Sequence, residues 1–188
     1  IRTIENSDVC LLLIDATQGF ESQDMNILHL IEKNRKSVVI IVNKWDLIEK
    51  DDSTYDRFSR YLAHDFQFVN WAQLMPVSAL EGKNIARMLR AALEIAVQRD
   101  RQFKTPDLNK WLKGVIGHHP PAGLKNTHPK LMYITQTGTN PPTFNVYGHD
   151  MKFLHWSYKR YMEREFRENY ELYGTAIRFN FREGTGKK

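Results

Sequence analysis

The chain has 188 residues, 41% apolar and 26% charged, the balance of a globular protein with length for one large or two small cores. Its longest aliphatic runs, Val9 to Ile14 and Val38 to Val42, fall well short of the roughly 18 residues that a membrane-spanning helix needs, and the opening residues show no signal peptide, so no membrane partner is expected and a cytoplasmic setting is. The net charge of +5 is unevenly placed: residues 1–100 hold 12 Lys and Arg against 15 Asp and Glu, net −3, while residues 101–188 hold 15 against 7, net +8, which points the second half towards a polyanion.

In chain order, Asp8 to Asp15 (DVCLLLID) reads as a buried strand, with Cys10, the one cysteine, as a structural thiol that excludes an internal disulfide or a multi-cysteine metal site. Ser22 to Lys33 reads as a helix with Met25, Leu28 and Ile31 on one side. Ser37 to Asn43 (SVVIIVN) is a second buried strand, its β-branched run suited to two-sided burial. Helical spacing recurs from Ser53 to Phe66 and from Asn84 to Arg99, with a short strand at Leu74 to Ser78 between them. Alternation of this kind predicts βαβ units around a mostly parallel, doubly wound sheet.

Near residue 100 the pattern changes. Thr105-Pro106 supplies a cap and a first-turn proline for a helix that Gly117 and Pro120-Pro121 should stop. Lys130 to Thr137 and Thr143 to Gly148 read as a hairpin, His155 to Tyr173 as a helix, and Ala176 to Arg182 as an alternating strand. The expected organisation is an α/β domain over residues 1–104, a small α+β domain of α-β-β-α-β order over 105–183, and a basic tail at 184–188.

Asn43-Lys44-Trp45-Asp46 falls at the C-terminal end of a predicted parallel strand, where open α/β sheets bind ligands. Guanine presents N1–H and its N2 amino group side by side, and the Asp46 carboxylate has two oxygens to accept both, whereas adenine would turn an unprotonated N1 towards it. Lys44 suits the purine face and Asn43 suits a tie between loops. Ser78-Ala79-Leu80 follows 32 residues after Asp46, again at a strand end, and the small Ala79 would let its backbone N–H approach guanine O6. Asp15, followed by Thr17 and Gly19, reads as a cap or Asx-turn, and His118, His119 and His128 read as surface histidines with no metal assigned.

The ordered pair of loops resembles the guanine-specificity constellation of P-loop GTPases, and the flanking residues Leu47, Asp15-Ala16-Thr17-Gln18-Gly19, Gln23-Asp24 and His118-His119-Pro120-Pro121 resemble the second GTPase domain and KH-like domain of the Der (EngA) family. That resemblance implies GTP and GDP as ligands of Asn43, Lys44, Asp46, Ser78, Ala79 and Leu80, and Mg²⁺ held by residues outside this chain. It also implies the large ribosomal subunit and ribosomal RNA as partners, tandem GTPase domains on the same chain, and GTP hydrolysis by the intact protein.

No P-loop, switch I or DxxG segment occurs in the 188 residues, so this chain alone is expected to be inactive; Ile1 to Asn6 is similar to the end of a switch II helix. An Era-like GTPase or a non-catalytic RNA-binding adaptor are the alternatives. The one GxxG string of residues 105–183, Gly114-Val115-Ile116-Gly117, falls within the predicted helix and not in a loop of the kind by which KH modules clamp a backbone, which leaves Arg160, Arg164 and Arg167 on a helix, with Arg178 and Arg182 on the last strand, as the RNA-facing candidates.

Overall fold

The computed structural model describes residues 2–48, 54–65, 69–124 and 127–184, the side chains of Thr54, Leu62 and Asp65 excepted. It divides into two compact units, one formed by Ile1–Arg99 with Tyr173–Ala176 and the other by Asp100–Leu172 with Ile177–Lys188.

In the first unit the elements run α1 (Arg2–Glu5), β1 (Val9–Asp15), α2 (Ser22–Lys33), β2 (Ser37–Asn43), α3 (Thr54–Asp65), β3 (Gln73–Pro76) and α4 (Ile85–Arg99). The three strands form a parallel sheet in the order β1-β2-β3. β2 is central, and Ser37 through Val42 are all buried, as the unbroken β-branched run requires. Alternate residues serve the two faces: Val38 and Ile40 pack with Leu12, Ile14, Leu28 and Ile31 on the α2 side, while Val39 and Ile41 pack with Ala91 and Ile95 on the α4 side. The register sets Asp15 beside Asn43, so the C-terminal ends of β1 and β2 lie level.

The predicted helix start at Ser53 and its end at Phe66 lie outside the described residues, as do residues 185–188 of the expected tail. The third strand is Gln73–Pro76, not Leu74–Ser78, because the backbone turns at Ser78, whose N–H donates to Lys83 O.

The second unit runs α5 (Thr105–His118), β4 (Lys130–Gly138), β5 (Thr143–His149), α6 (Trp156–Tyr170) and β6 (Arg178–Glu183), the expected α-β-β-α-β order with a single 3₁₀ turn at Met151–Phe153. β5 is central, antiparallel to β4 and parallel to β6. Both helices bury their apolar sides on one face of this sheet, where Leu108, Trp111, Leu112, Ile134, Phe144, Val146, Tyr158, Met162 and Phe166 form the core.

Several boundaries differ from the sequence reading. Lys104 occupies the cap of α5 and Thr105 is its first residue; the helix passes Gly117 because His119 N still donates to Val115 O. α6 ends at Tyr170, three residues early, where Glu171 takes a left-handed conformation (φ 54°) and Leu172 N closes on Arg167 O. The final strand starts at Arg178, not Ala176, since Tyr173–Ala176 belong to the first unit. There Val38 N donates to Gly174 O, Gly174 N donates to Trp71 O, and Ala176 N donates to Ser37 Oγ.

Candidate functional site

The ends of β2 and β3 bring together the two loops singled out in the sequence. Asn43 closes β2, and its Oδ1 accepts from Ala79 N at 3.1 Å. A second tie runs from Trp45 N to Val77 O at 3.1 Å. Between them Lys44 is left-handed (φ 61°, ψ 33°), a conformation that costs a non-glycine residue about 1–2 kcal/mol and here turns the chain into the Trp45–Leu47 3₁₀ turn that carries Asp46. Trp45 rests edge-on against Phe58 of α3, with ring centroids 5.6 Å apart, which fixes that turn on the helix.

The partner loop is built tightly. Ser78 bridges Lys83, Glu81 N donates to Ser78 Oγ at 3.1 Å, and Asn84 Nδ2 donates to Pro76 O at 2.9 Å. Gly82 and Asn84, at φ 68° and 63°, supply the left-handed positions the turn needs. Lys83 Nζ lies 2.6 Å from Glu81 Oε2; this bond, with a smaller contribution from the charge of Asp46, raises the ammonium above its ordinary pKa.

Asp15 does more than the turn its sequence suggested. Its Oδ1 accepts from Thr17 N at 2.9 Å and Thr17 Oγ1 at 2.7 Å, the expected Asx geometry, and its Oδ2 receives Lys44 Nζ at 2.6 Å. The Lys44 ammonium first, then the two Thr17 donors, hold the Asp15 carboxyl down at about 2. The register pairs Asp15 with Asn43, and the ion pair itself is made by the next residue, Lys44, whose left-handed turn the sequence did not announce.

One detail departs from the sequence reading. The Ala79 N–H expected at guanine O6 is donated to Asn43, so a bound base would share that amide with the side chain. Asp46 is half-buried, Leu80 is exposed, and Ser78 is buried beneath the loop. The two loops thus bring a carboxylate acceptor, a small residue and a lysine pinned by Asp15 to neighbouring strand ends.

The five arginines read as RNA-facing candidates in the second unit do not form one surface. Arg167 is 5% exposed, with Nη2 2.8 Å from Glu163 Oε1 and Nη1 3.0 Å from Leu172 O. Arg164 lies over the Tyr161 ring and pairs with Glu165 and Glu168, and Arg160 lies over Trp156. Arg178 and Arg182 are exposed on the sheet face opposite the one α6 covers, because they alternate with Phe179 and Phe181 of the core side. His119 stacks on Tyr158, whose hydroxyl donates to His119 O at 2.8 Å. No helix among the described residues is long and apolar enough to cross a membrane.

Comparison with known proteins gives this geometry its class. Residues 1–98 match the family described as the elongation factor Tu GTP binding domain, and residues 102–182 match the KH-domain-like region of EngA bacterial GTPase enzymes, C-terminal. GTPase Der of Chloroflexus aggregans is 39% identical over 183 residues, covering 97% of this chain and 41% of the relative. GTPase Der of Clostridium botulinum (strain Langeland) is 40% identical over 186 residues, covering 97% and 42%. The solved Aquifex aeolicus Era bound to GDP.AlF4- is 17% identical with a TM-score of 0.44, covering 97% of this chain and 68% of that one. The fold and the loops thus define a GTP-binding α/β domain followed by a KH-like domain. The chain belongs to the Der (EngA) GTPase family, and it spans about two fifths of the length of the curated relatives it matches.

Proposed function

We propose that this chain supplies the guanine-reading half of a GTPase domain, together with a KH-like module, to a longer protein that acts on the large ribosomal subunit. The observation that carries the nucleotide reading is the Asn43 Oδ1 to Ala79 N bond, which holds the NKWD and SAL loops together at the ends of two neighbouring parallel strands. In this reading Asp46 accepts N1–H and N2–H of guanine, Lys44 lies along the purine face, Asn43, Ser78 and Ala79 fix the pocket wall, and Leu80 borders it. The triphosphate and Mg²⁺ are held by an upstream segment, which alone supplies the chemistry of hydrolysis.

An upstream segment also accounts for an uncovered apolar surface. On the α4 side of the sheet, Leu13 is 58% exposed, and Leu89, Leu93 and Val97 follow one another at i, i+4, i+8 along α4 with 52%, 68% and 74% exposure. Those residues suit burial by the phosphate-binding half of the domain.

The second unit, with its positive charge, is assigned to ribosomal RNA. Competition binding on a protein extended upstream through the P-loop tests the nucleotide reading: GTP and GDP displace a labelled guanine nucleotide and ATP does not, and equal displacement by ATP would overturn it.

A further inference from the structure

The sheet of the second unit is covered by helices on one face only, and its other face is chemically distinctive. Tyr133 of β4 and Tyr147 of β5 are cross-strand partners whose rings stack with centroids 4.6 Å apart and an interplanar angle of 14°. Beside them Asn180 Nδ2 donates to Asn145 Oδ1 at 3.0 Å, and Asn145 Nδ2 donates to the Tyr147 hydroxyl at 3.2 Å. The pairing of β5 with β6 sets Arg178 opposite Thr143 and Arg182 opposite Tyr147. Tyr133, Arg178 and Arg182 are exposed.

We infer that this open sheet face is a platform for a single-stranded RNA segment. A base stacks on the exposed side of the Tyr133–Tyr147 pair, and Arg178 and Arg182 hold its backbone. Three features carry the inference. The aromatic pair spans the edge strand β4 and the central strand β5, and its Tyr147 is held by a side-chain network before any ligand arrives, so little ordering is needed on binding. The face is cationic, and the open-face positions of all three strands carry no carboxylate: Glu183, the one acidic residue of those strands, turns both oxygens onto the Asp150 and Met151 amides. A flat aromatic stack with Arg182 beside it on the next strand and Arg178 further along that strand fits an unpaired base and cannot reach one inside a duplex. This inference rests on the RNA reading of the second unit but gives it a surface and a strand preference of its own.

The test measures fluorescence anisotropy of the full 188-residue chain with a labelled mixed-sequence 12-nucleotide RNA, and with the same strand in a duplex. Single strand binds at least ten-fold more tightly than duplex. Tyr133→Ala weakens it about ten-fold or more, Tyr133→Phe restores it, and Arg178→Gln with Arg182→Gln lowers the log–log salt slope by about 1.4 units. Photo-crosslinking of the unaltered chain to 5-iodouridine RNA places adducts on the Tyr133 or Tyr147 peptides. Binding that is unaffected by Tyr133→Ala, or crosslinks confined to α5 and α6, would overturn the platform and leave the RNA reading standing. No binding of either RNA at low salt would overturn both.

Discussion

Lys44 Nζ lies 2.6 Å from Asp15 Oδ2, joining the ends of β1 and β2 through the lysine that stands two residues before Asp46, the carboxylate proposed to read the base. The pair fixes the lysine stem at the loop where the backbone is already left-handed, so the side chain proposed for the purine face is positioned before nucleotide arrives. Since the Asp15 pKa is depressed from 3.8 to about 2, whatever the pair adds to stability is present above pH 4 and lost as pH falls towards 2. Carbon-detected NMR titration of Asp15 should give a midpoint near 2, and Lys44→Met should move it back up towards 3.8. A midpoint unmoved by the substitution would mean that the Thr17 donors alone hold the carboxylate.

Base selectivity should follow Asp46. In a protein extended upstream, Asp46→Asn replaces an acceptor with a donor, which suits O2 of xanthine and leaves the N2 amino group of guanine facing N–H. Guanine nucleotides lose about 2–4 kcal/mol of binding, a typical cost for breaking a charge-assisted bidentate contact, and xanthine nucleotides gain relative to them. Retained guanine preference in the variant would place the reading group elsewhere.

The chain as it stands should show no saturable GTP binding at micromolar concentration in calorimetry. The loops offer contacts to the base, whereas phosphate-binding amides and the Mg²⁺ ligands supply most of a nucleotide's affinity in P-loop proteins. A micromolar Kd for these 188 residues would refute the assignment of phosphate binding to an upstream segment.

How much of this was legible in the sequence depends on range. The strand Ser37 to Asn43 and the helix Ser22 to Lys33 were readable to the residue, because an unbroken β-branched run and a clear i, i+3, i+6 stripe are local patterns. The loops carrying Asp46 and Ala79 were legible because each sits at a strand end, a place the pattern fixes. Tyr173–Ala176 was not: its residues read as the run into a strand, and only bonds to Trp71, Val38 and Ser37, far away in sequence, give it to the first unit. The arginines were misgrouped for a related reason. Periodicity sets Arg178 and Arg182 opposite Phe179 and Phe181, but only packing shows that Arg167 is enclosed and that α6 covers the other face of the sheet from those two arginines.

The Tyr173–Ala176 segment should be sensitive at two positions. Ser37 is fully buried, and its hydroxyl oxygen accepts from Ala176 N at 3.0 Å and Arg99 Nη1 at 3.1 Å. Ser37→Ala removes the acceptor for both and should cost about 1–3 kcal/mol in denaturant unfolding. Gly174 has φ 74°, and an added Cβ would meet Ile95 Cδ1 at 2.5 Å, so Gly174→Ala combines backbone strain with a clash and should destabilise by at least as much. Wild-type midpoints for both variants would show that the segment is not held as described.

The arginines of α6 should separate by what they touch. Arg167 is enclosed, bonded to Glu163 and to the carbonyl of Leu172, where the helix ends; replacing it with Gln leaves that buried carbonyl without its donor and should cost about 1–3 kcal/mol while leaving the salt dependence of RNA binding as it was. Arg160 and Arg164 are exposed and lie over the Trp156 and Tyr161 rings, so their guanidinium planes are steadied while their N–H edges stay in solvent. The Glu165 and Glu168 pairs of Arg164 are exposed and add little to stability, and a phosphate can displace them. Arg160→Gln with Arg164→Gln should therefore leave the thermal midpoint nearly unchanged and lower the log–log salt slope by about 1.4–1.8 units, at roughly 0.7–0.9 per phosphate contact. Binding titrations across a salt series, with a thermal melt of each variant, distinguish the two roles. An unchanged slope for the double variant would remove Arg160 and Arg164 from the RNA-facing surface and leave that assignment to Arg178 and Arg182, and a reduced slope for Arg167→Gln would overturn its purely structural role.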